Sequence, residues 1–334
     1  MTSEAIGSLL SNAIAARAEG IDARHESAFR LFNGFSEGRP DLVIDIYART
    51  ALVHNYADPP GRAEVVLRAV LDRLLAELPW LRAVVVKPRN APTADERRGR
   101  TVFGVQPDRR VREHGVWYAV DLLMQRDAGL YLDTRNLRRW ALDHLAGARV
   151  LNTFAYTGSL GVAARAGGAV RVVHLDRRRA FLNVAKTSYL LNGFPIEKAD
   201  FQTGDFFTLA SRLRRSGALF DCVFVDPPLF SETSQGRVDM ASHGQRAINK
   251  VRPLIVDGGW LVAVNNALFV SGADFLRTLE SLCADGYLSI EERIPVPPDF
   301  TGYPSTRAGR LPVDPAPFNH ATKIAVLRVR RKLS

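Results

Sequence analysis

Four short stretches hold the side chains that could do chemistry, and each follows an apolar run. Asn152 to Ser159 is a turn built around Gly158. Val172-Val-His-Leu ends in Asp176. Gly204-Asp205-Phe206 and Asp226-Pro227-Pro228-Leu-Phe230-Ser231 close two more runs. A strand, a glycine turn, a helix and a second strand tipped with an acid follow the plan of dinucleotide-binding folds, whose ligands sit at the carboxyl ends of the strands. In that plan Asp176 takes both hydroxyls of a ribose, and Asp205 accepts from the amino group of adenine while Phe206 stacks on the ring. Asp226-Pro-Pro forms a rigid floor beside the reacting carbon. The turn has no G-x-G-x-x-G to cradle a pyrophosphate, so a ligand without phosphates fits better than NAD or FAD. S-adenosylmethionine (SAM), adenosine joined to an amino acid, is such a ligand. Plainer uses stay open: Asp176 and Asp205 can be helix N-caps, and Pro227-Pro228 can simply end a strand.

Those residues need a sheet to align them. From Thr134 the pattern alternates: helix 134–145, strand 150–154, helix 159–166, strand 170–175, helix 179–191, a short strand near 198–202, helix 206–215 and strand 220–225. Helix 239–255, strand 260–264, helix 272–285 and strands 287–293 and 323–330 follow. This predicts an α/β fold: a Rossmann-like, mostly parallel sheet with helices on both faces and a terminal antiparallel hairpin. The proline-rich loop from Pro295 to Pro317 joins the last two strands and is placed where it could close over the site.

Ahead of it, residues 25–124 read as a small mixed α/β domain of RNA-binding type. It has strands at 28–31, 42–47, 51–55 and 81–86, a helix over 62–78 that Pro79 stops, an exposed basic loop over 87–100, and a hairpin around His114-Gly115. Residues 1–24 read as a helical extension, with apolar Ile6, Leu9, Leu10, Ala13 and Ile14 at helical spacing. The expected domains are therefore 1–24, 25–124 and 125–334.

Bulk composition narrows the class. Hydrophobic residues make up 46% of the 334 and charged residues 24%, the balance of an ordinary globular chain. Cys222 and Cys283 both lie in apolar surroundings and do not make a disulfide scaffold, so the expected compartment is cytoplasmic. Neither a signal peptide nor an apolar run long enough to span a membrane is expected. The scattered histidines lack paired ligand spacing, so no metal site is expected. Net charge is +10, with arginines clustered at 97–100, 109–112, 177–179, 212–215 and 328–331. Such clusters fit a polyanion such as RNA, or a solvated basic surface.

Three motifs add a family. Leu151-Asn-Thr-Phe-Ala-Tyr-Thr-Gly158, Val225-Asp-Pro-Pro-Leu-Phe-Ser231 and Gln125-Arg-Asp-Ala-Gly-Leu-Tyr-Leu-Asp-Thr-Arg135 resemble the ribosomal RNA large-subunit methyltransferases of the RlmI/RlmK type. The resemblance covers about residues 26–295 and implies a class I SAM-dependent fold. It also implies that Phe154, Tyr156, Thr157 and Gly158 line the methionine half of SAM, Asp176 the ribose, and Asp205 and Phe206 the adenine. Arg126, Tyr131, Asp133 and Arg135 would cover the cofactor; for Asp133 and Arg135 an ion pair at a helix start is the alternative. RlmI-kind members carry an N-terminal PUA domain, for which the residues before 25 are expected to be too few.

Chemistry then bears on the acceptor atom. Methylation of cytosine C5 needs a nucleophile on C6, which the resemblance places as a cysteine after the fifth strand. Here that stretch is Val262-Ala-Val-Asn265-Asn266-Ala-Leu268. Exocyclic amines usually go with Asn/Asp-Pro-Pro followed at once by an aromatic ring, and here Leu229 intervenes before Phe230. Guanine N7 needs neither feature, and the Asn-Asn pair resembles the RlmK branch, which makes 7-methylguanine. Catalysis would then be mainly placement, with Asp226, Asn265 and Asn266 on the base edge and Pro227, Phe230 and Tyr303 around the substrate. A small-molecule methyltransferase and a non-catalytic SAM or RNA-binding module are the rival readings.

Overall fold

The computed structural model describes residues 3–124, 127–228, 230–233, 236–310 and 314–331, with the backbone alone at residue 3, over 230–233 and over 236–243. Two compact units divide the chain: Met1–Leu132 with Pro297–Leu311, and Asp133–Val296 with Pro312–Ser334.

The first unit runs α1 (Ser3–Arg17), β1 (Ala28–Asn33), α2 (Gly34–Glu37), β2 (Leu42–Tyr47), β3 (Thr50–Asn55), α3 (Glu64–Glu77), β4 (Ala83–Pro88), α4 (Ala94–Arg98), β5 (Arg100–Phe103) and the hairpin β6 (Arg110–Glu113) and β7 (Val116–Ala119). Strands β1 to β5 form one sheet in sequence order. All neighbours are antiparallel except β3 and β4, whose parallel pairing requires the crossover that α3 supplies. Helical spacing gathers Ile6, Leu10, Ala13 and Ile14 on one side of α1, buried with Val70 and Leu74 of α3 against Leu31, Ile44, Val53 and Val84 of the sheet. The N-terminal helix is thus part of this core and not a detached extension.

Strand alternation turns Arg30, Asp45, His54 and Lys87 to the other face. Arg30 donates to both oxygens of Asp45, at 2.8 and 3.2 Å, and His54 Nε2 lies 3.2 Å from the same carboxylate. Pro297–Leu311, part of the proline-rich loop, also belongs to this unit. Arg30 N–H donates to the Asp299 carboxylate at 2.8 Å, Arg17 donates to the Asp299 carbonyl at 3.2 Å, and Ala308 N–H to the Ser36 carbonyl at 2.8 Å. Arg17 also makes a buried ion pair with Glu37 at 3.0 Å.

The second unit runs α5 (Arg135–His144), β8 (Arg149–Thr153), α6 (Ser159–Ala166), β9 (Arg171–Asp176), α7 (Arg179–Leu191), β10 (Phe201–Thr203), α8 (Phe206–Arg215), β11 (Phe220–Val225), the hairpin β12 (Phe230–Thr233) and β13 (Gly236–Asp239), α9 (Met240–Val251), β14 (Ile255–Asn265), α10 (Gly272–Cys283), β15 (Leu288–Ile294) and β16 (Lys323–Val329). The sheet order is β10-β9-β8-β11-β14-β16-β15. The first five are parallel and β16 is antiparallel to both neighbours. Both faces are apolar, as a covered parallel sheet requires. Leu151, Val223, Val225, Leu261 and Ala263 face α8, α9 and α10. Val150, Cys222, Phe224, Val262 and Val264 face α5 and α6. Strand order reverses between β8 and β11, so the crevice forms at their carboxyl ends. No helix among the described residues is long and apolar enough to cross a membrane.

Candidate active site

The β8 tip enters a turn under backbone strain. Phe154 and Tyr156 have φ of 52° and 49°, a left-handed conformation that side-chain-bearing residues seldom adopt, and Gly158 follows at 77°. Such strain costs about 1–3 kcal/mol per residue and persists only where surrounding contacts fix it. Here Ala155 N–H donates to the Leu175 carbonyl at 2.8 Å, and Tyr156 N–H donates to Asp176 Oδ2 at 2.8 Å. Beneath the turn the backbone is tight. A Cβ at Gly158 would meet Ala185 Cβ at 2.6 Å, and one at Gly161 would meet the His174 ring at 2.3 Å.

That ring is part of a buried polar chain. Asn152 Nδ2 lies 3.4 Å from His174 Nδ1, and His174 Nε2 lies 3.0 Å from the Tyr189 hydroxyl. Burial pushes His174 down to about 3, so it is neutral. An amide donor at Nδ1 leaves the proton on Nε2, to be donated to Tyr189. Asn152, His174 and Tyr189 thus support the turn from below, a role with no signature in the local residue pattern.

Asp176, at the β9 tip, accepts from Tyr156 N–H through one oxygen and from Arg178 N–H through the other, each at 2.8 Å. Burial raises its pKa against the pull of these donors. Asp205 is the N-cap of α8: its Oδ1 accepts from Thr208 N–H at 3.0 Å. Phe206 is mostly buried, with its ring 4.5 Å from that of Phe154, which is more open. Tyr156 sets its ring edge-on to Phe181 at 4.6 Å; Thr157 is buried.

Asp226 follows β11 directly, and buried Pro227 comes after it. Burial first, and then the charge on Asp133, push Asp226 up to about 7. Asp133 is held by the Thr322 hydroxyl, which donates to it at 2.5 Å. Neither carboxylate has a cationic partner among the described residues. The β11–β14 register brings Asn265 to the neighbouring tip. Its Oδ1 accepts from Ala267 N–H at 3.0 Å and so closes a turn, which leaves Asn266 as the exposed member of the pair. Buried Lys323 ties the following loop by donating to the carbonyls of Ala267, Val270 and Ala321 at 3.0, 2.7 and 2.6 Å. Two carboxylates that raise one another's cost of ionisation, without a counter-charge among the described residues, fit a cationic ligand such as a sulfonium.

A family model described as S-adenosylmethionine-dependent methyltransferase matches residues 29–310. The chain belongs to that family. This methyltransferase is 29% identical over 268 residues to ribosomal RNA large subunit methyltransferase I of Photobacterium profundum, covering 79% of this chain and 67% of that one. To the protein of the same name from Vibrio campbellii it is 30% identical, covering 88% and 76%. It spans 61% of the length of the Serratia proteamaculans relative. Among solved structures, a methyltransferase complexed with SAH superposes with a TM-score of 0.83 at 20% identity, over 98% of this chain and 82% of that one. A SAM-dependent methyltransferase from Agrobacterium tumefaciens gives 0.60 at 19%, over 87% and 88%. At these identities the superpositions speak for the fold alone. The methyltransferase fold and the SAM cofactor read from the strand tips are those of the family.

Arg126 is outside the described residues, as is the side chain of Phe230. Arg135 opens α5 and is half-buried. Tyr131 and Tyr303 belong to the first unit. There Tyr131 is exposed, whereas Tyr303 lies under the Arg17 guanidinium at 4.9 Å. Among the described residues no cluster of His, Cys, Asp and Glu could hold a metal ion.

Proposed function

We propose that this methyltransferase modifies a base of large-subunit ribosomal RNA in the cytoplasm, at guanine N7. The names of its relatives and the net charge of +10 support the substrate class. The placement of the two thiols supports the choice of atom. Cys222 is fully buried in β11, where burial pushes its thiol far up, and Cys283 closes α10. Neither stands at a strand tip to attack cytosine C6.

SAM supplies an electrophilic methyl group. Asp176 and Asp205 hold the adenosine by its ribose and amino group, and the Phe154 face of the β8 turn flanks it. Asp133 and Asp226 hold the cationic end, whose charge draws Asp226 into its ionised form. Methylated N7 makes the guanine ring cationic, and an ionised Asp226 stabilises that charge as it develops. Asn266 donates to O6 and fixes the ring in line. No proton leaves, so no base is required.

A second reading follows from Asp226 itself. A carboxyl poised near neutrality can accept a proton, which methylation of an exocyclic amine releases. Labelling large-subunit ribosomal RNA and, in parallel, a metabolite pool with tritiated SAM, followed by nucleoside analysis, separates the two. The expected product is 7-methylguanosine, with Asp226→Asn slowed by about 10- to 100-fold. A labelled N6-methyladenosine or N2-methylguanosine, with Asp226→Asn slowed by more than about 10³-fold, establishes the second reading. Label in a metabolite pool alone refutes both.

A further inference from the structure

The β6–β7 hairpin has one face that the strand-tip site leaves unused. Val111, Glu113, Val116 and Tyr118 are buried on its inner side. Arg112 pairs opposite Trp117 and Arg110 opposite Ala119, so Arg110, Arg112 and Trp117 share the outer side. There the Arg110 and Arg112 guanidinium groups lie 4.7 and 5.5 Å from the centroid of the Trp117 ring. Arg109 and Arg110 are exposed and have no ion-pair partner among the described residues, while Arg112 meets Glu26 at 3.6 Å. Several arginines of the other clusters are engaged within the chain. Arg97 donates to the Ala91 carbonyl, Arg98 pairs with Asp95, Arg212 donates to Gln202, and Arg328 and Arg331 donate to the Gly258 and Pro253 carbonyls. At this hairpin, exposed Arg110 and half-buried Arg112 adjoin the Trp117 indole.

We propose that this face docks a single-stranded stretch of the RNA substrate, an inference that rests on the RNA reading above. Arg109 and Arg110 meet phosphates, and an unstacked base lies on Trp117, whose ring the adjoining guanidinium groups hold in place. The occupant follows from charge: Arg110 and Arg112 on this face, with exposed Arg109 next to them in the chain, outnumber the Glu26 that pairs with Arg112, on a chain of net charge +10.

The test titrates an in vitro transcript of large-subunit ribosomal RNA with wild type, Arg109→Ala/Arg110→Ala, Trp117→Ala and Trp117→Phe over a range of salt. Calorimetry with S-adenosylhomocysteine on each protein reports an intact fold and cofactor site. The arginine double variant is expected to lose affinity and to flatten the plot of log affinity against log salt by roughly 1.4, or about 0.7 per phosphate contact. Trp117→Ala is expected to bind about 5- to 100-fold more weakly with an unchanged slope, and Trp117→Phe to recover most of the loss. Should Trp117→Ala fail to take S-adenosylhomocysteine, the two surface arginines decide the matter. Variants that match wild type in affinity and slope overturn the docking surface and leave the RNA reading standing. A wild type that takes S-adenosylhomocysteine but shows no salt-dependent affinity for the RNA removes that reading and the surface with it.

Discussion

The two sheets handle buried charge in opposite ways. In the first unit buried ionisable groups are satisfied by one another: Arg30 and His54 converge on Asp45 within the sheet, and Arg17 at the end of α1 locks onto Glu37 of α2. Burial alone would raise Asp45, but Arg30 and His54 outweigh it and hold the carboxyl well below its usual range. In the second unit both sheet faces are apolar, and the acids stand at the strand tips. There Asp226 faces another carboxylate and is pushed up to about 7. A closed charge network is a structural element. An open one of a single sign is a place for a ligand of the other sign.

If the first-unit networks are structural, breaking one costs stability and nothing else. Glu37→Ala strands the Arg17 guanidinium in the core and takes the acceptor from Asn33 N–H. The expected loss is about 3–5 kcal/mol in denaturant unfolding, with affinity for S-adenosylhomocysteine unchanged in the protein that remains folded. An Arg17→Met/Glu37→Leu double variant is expected to regain much of that loss. A Glu37→Ala protein as stable as wild type would end the distinction between the two regions. Next in size is Gly161→Ala, whose Cβ runs into His174. It is expected to cost about 1–3 kcal/mol and, by displacing the strained turn, to weaken cofactor binding as well.

Much of the second unit was legible because its sheet is covered on both faces. Continuous apolar runs, each ending in a turn, placed helices 159–166, 179–191 and 206–215 and strand 220–225 at the bounds observed. The tips at Asp176, Asp205 and Asp226 followed from the same punctuation. What escaped either lacks a clean local pattern or depends on distant pairing. The β12–β13 hairpin is built from the mostly polar Phe-Ser-Glu-Thr and Gly-Arg-Val-Asp, which do not alternate cleanly. Thr322 reaches Asp133 across 189 positions, and no local pattern announces that. His174 sat unnoticed inside an apolar strand because a neutral, hydrogen-bonded imidazole is tolerated there as a core residue. Nothing local to the loop after Pro295 announces where it is tied. Its anchors, Arg17, Arg30 and Ser36, lie more than 250 positions away.

The open pair can be probed by pH. Asp226 is raised from 3.8 to about 7, so the folded state holds a proton that the unfolded state has already lost over that interval. Wild type therefore loses stability as pH rises from about 4 to about 7, by an amount on the order of 2 kcal/mol once solvent screening of a half-buried carboxyl is allowed for. Asp226→Asn is expected to match wild type below pH 4 and to exceed it above pH 7, as read from thermal melts across the range. Parallel curves would mean that the carboxyl is not raised, and the contrast with Asp45 would lose its sharper half.

The smallest effect bears on Asp205, where the two uses compete. As N-cap of α8 it accepts from Thr208 N–H, and as a tip acid it is assigned to adenine. Alanine removes both uses and is expected to cost about 1 kcal/mol of stability. Serine restores the cap without the second carboxylate oxygen. If Asp205 only caps, Asp205→Ser binds S-adenosylhomocysteine as wild type does. If it also holds adenine, serine restores the melting temperature but leaves affinity several-fold weaker. The second outcome is expected, because Oδ1 alone serves the helix and Oδ2 has no protein partner among the described residues. Calorimetry on the alanine and serine variants side by side reads the two contributions separately, and a serine variant with full affinity would return Asp205 to the class of closed, structural acids.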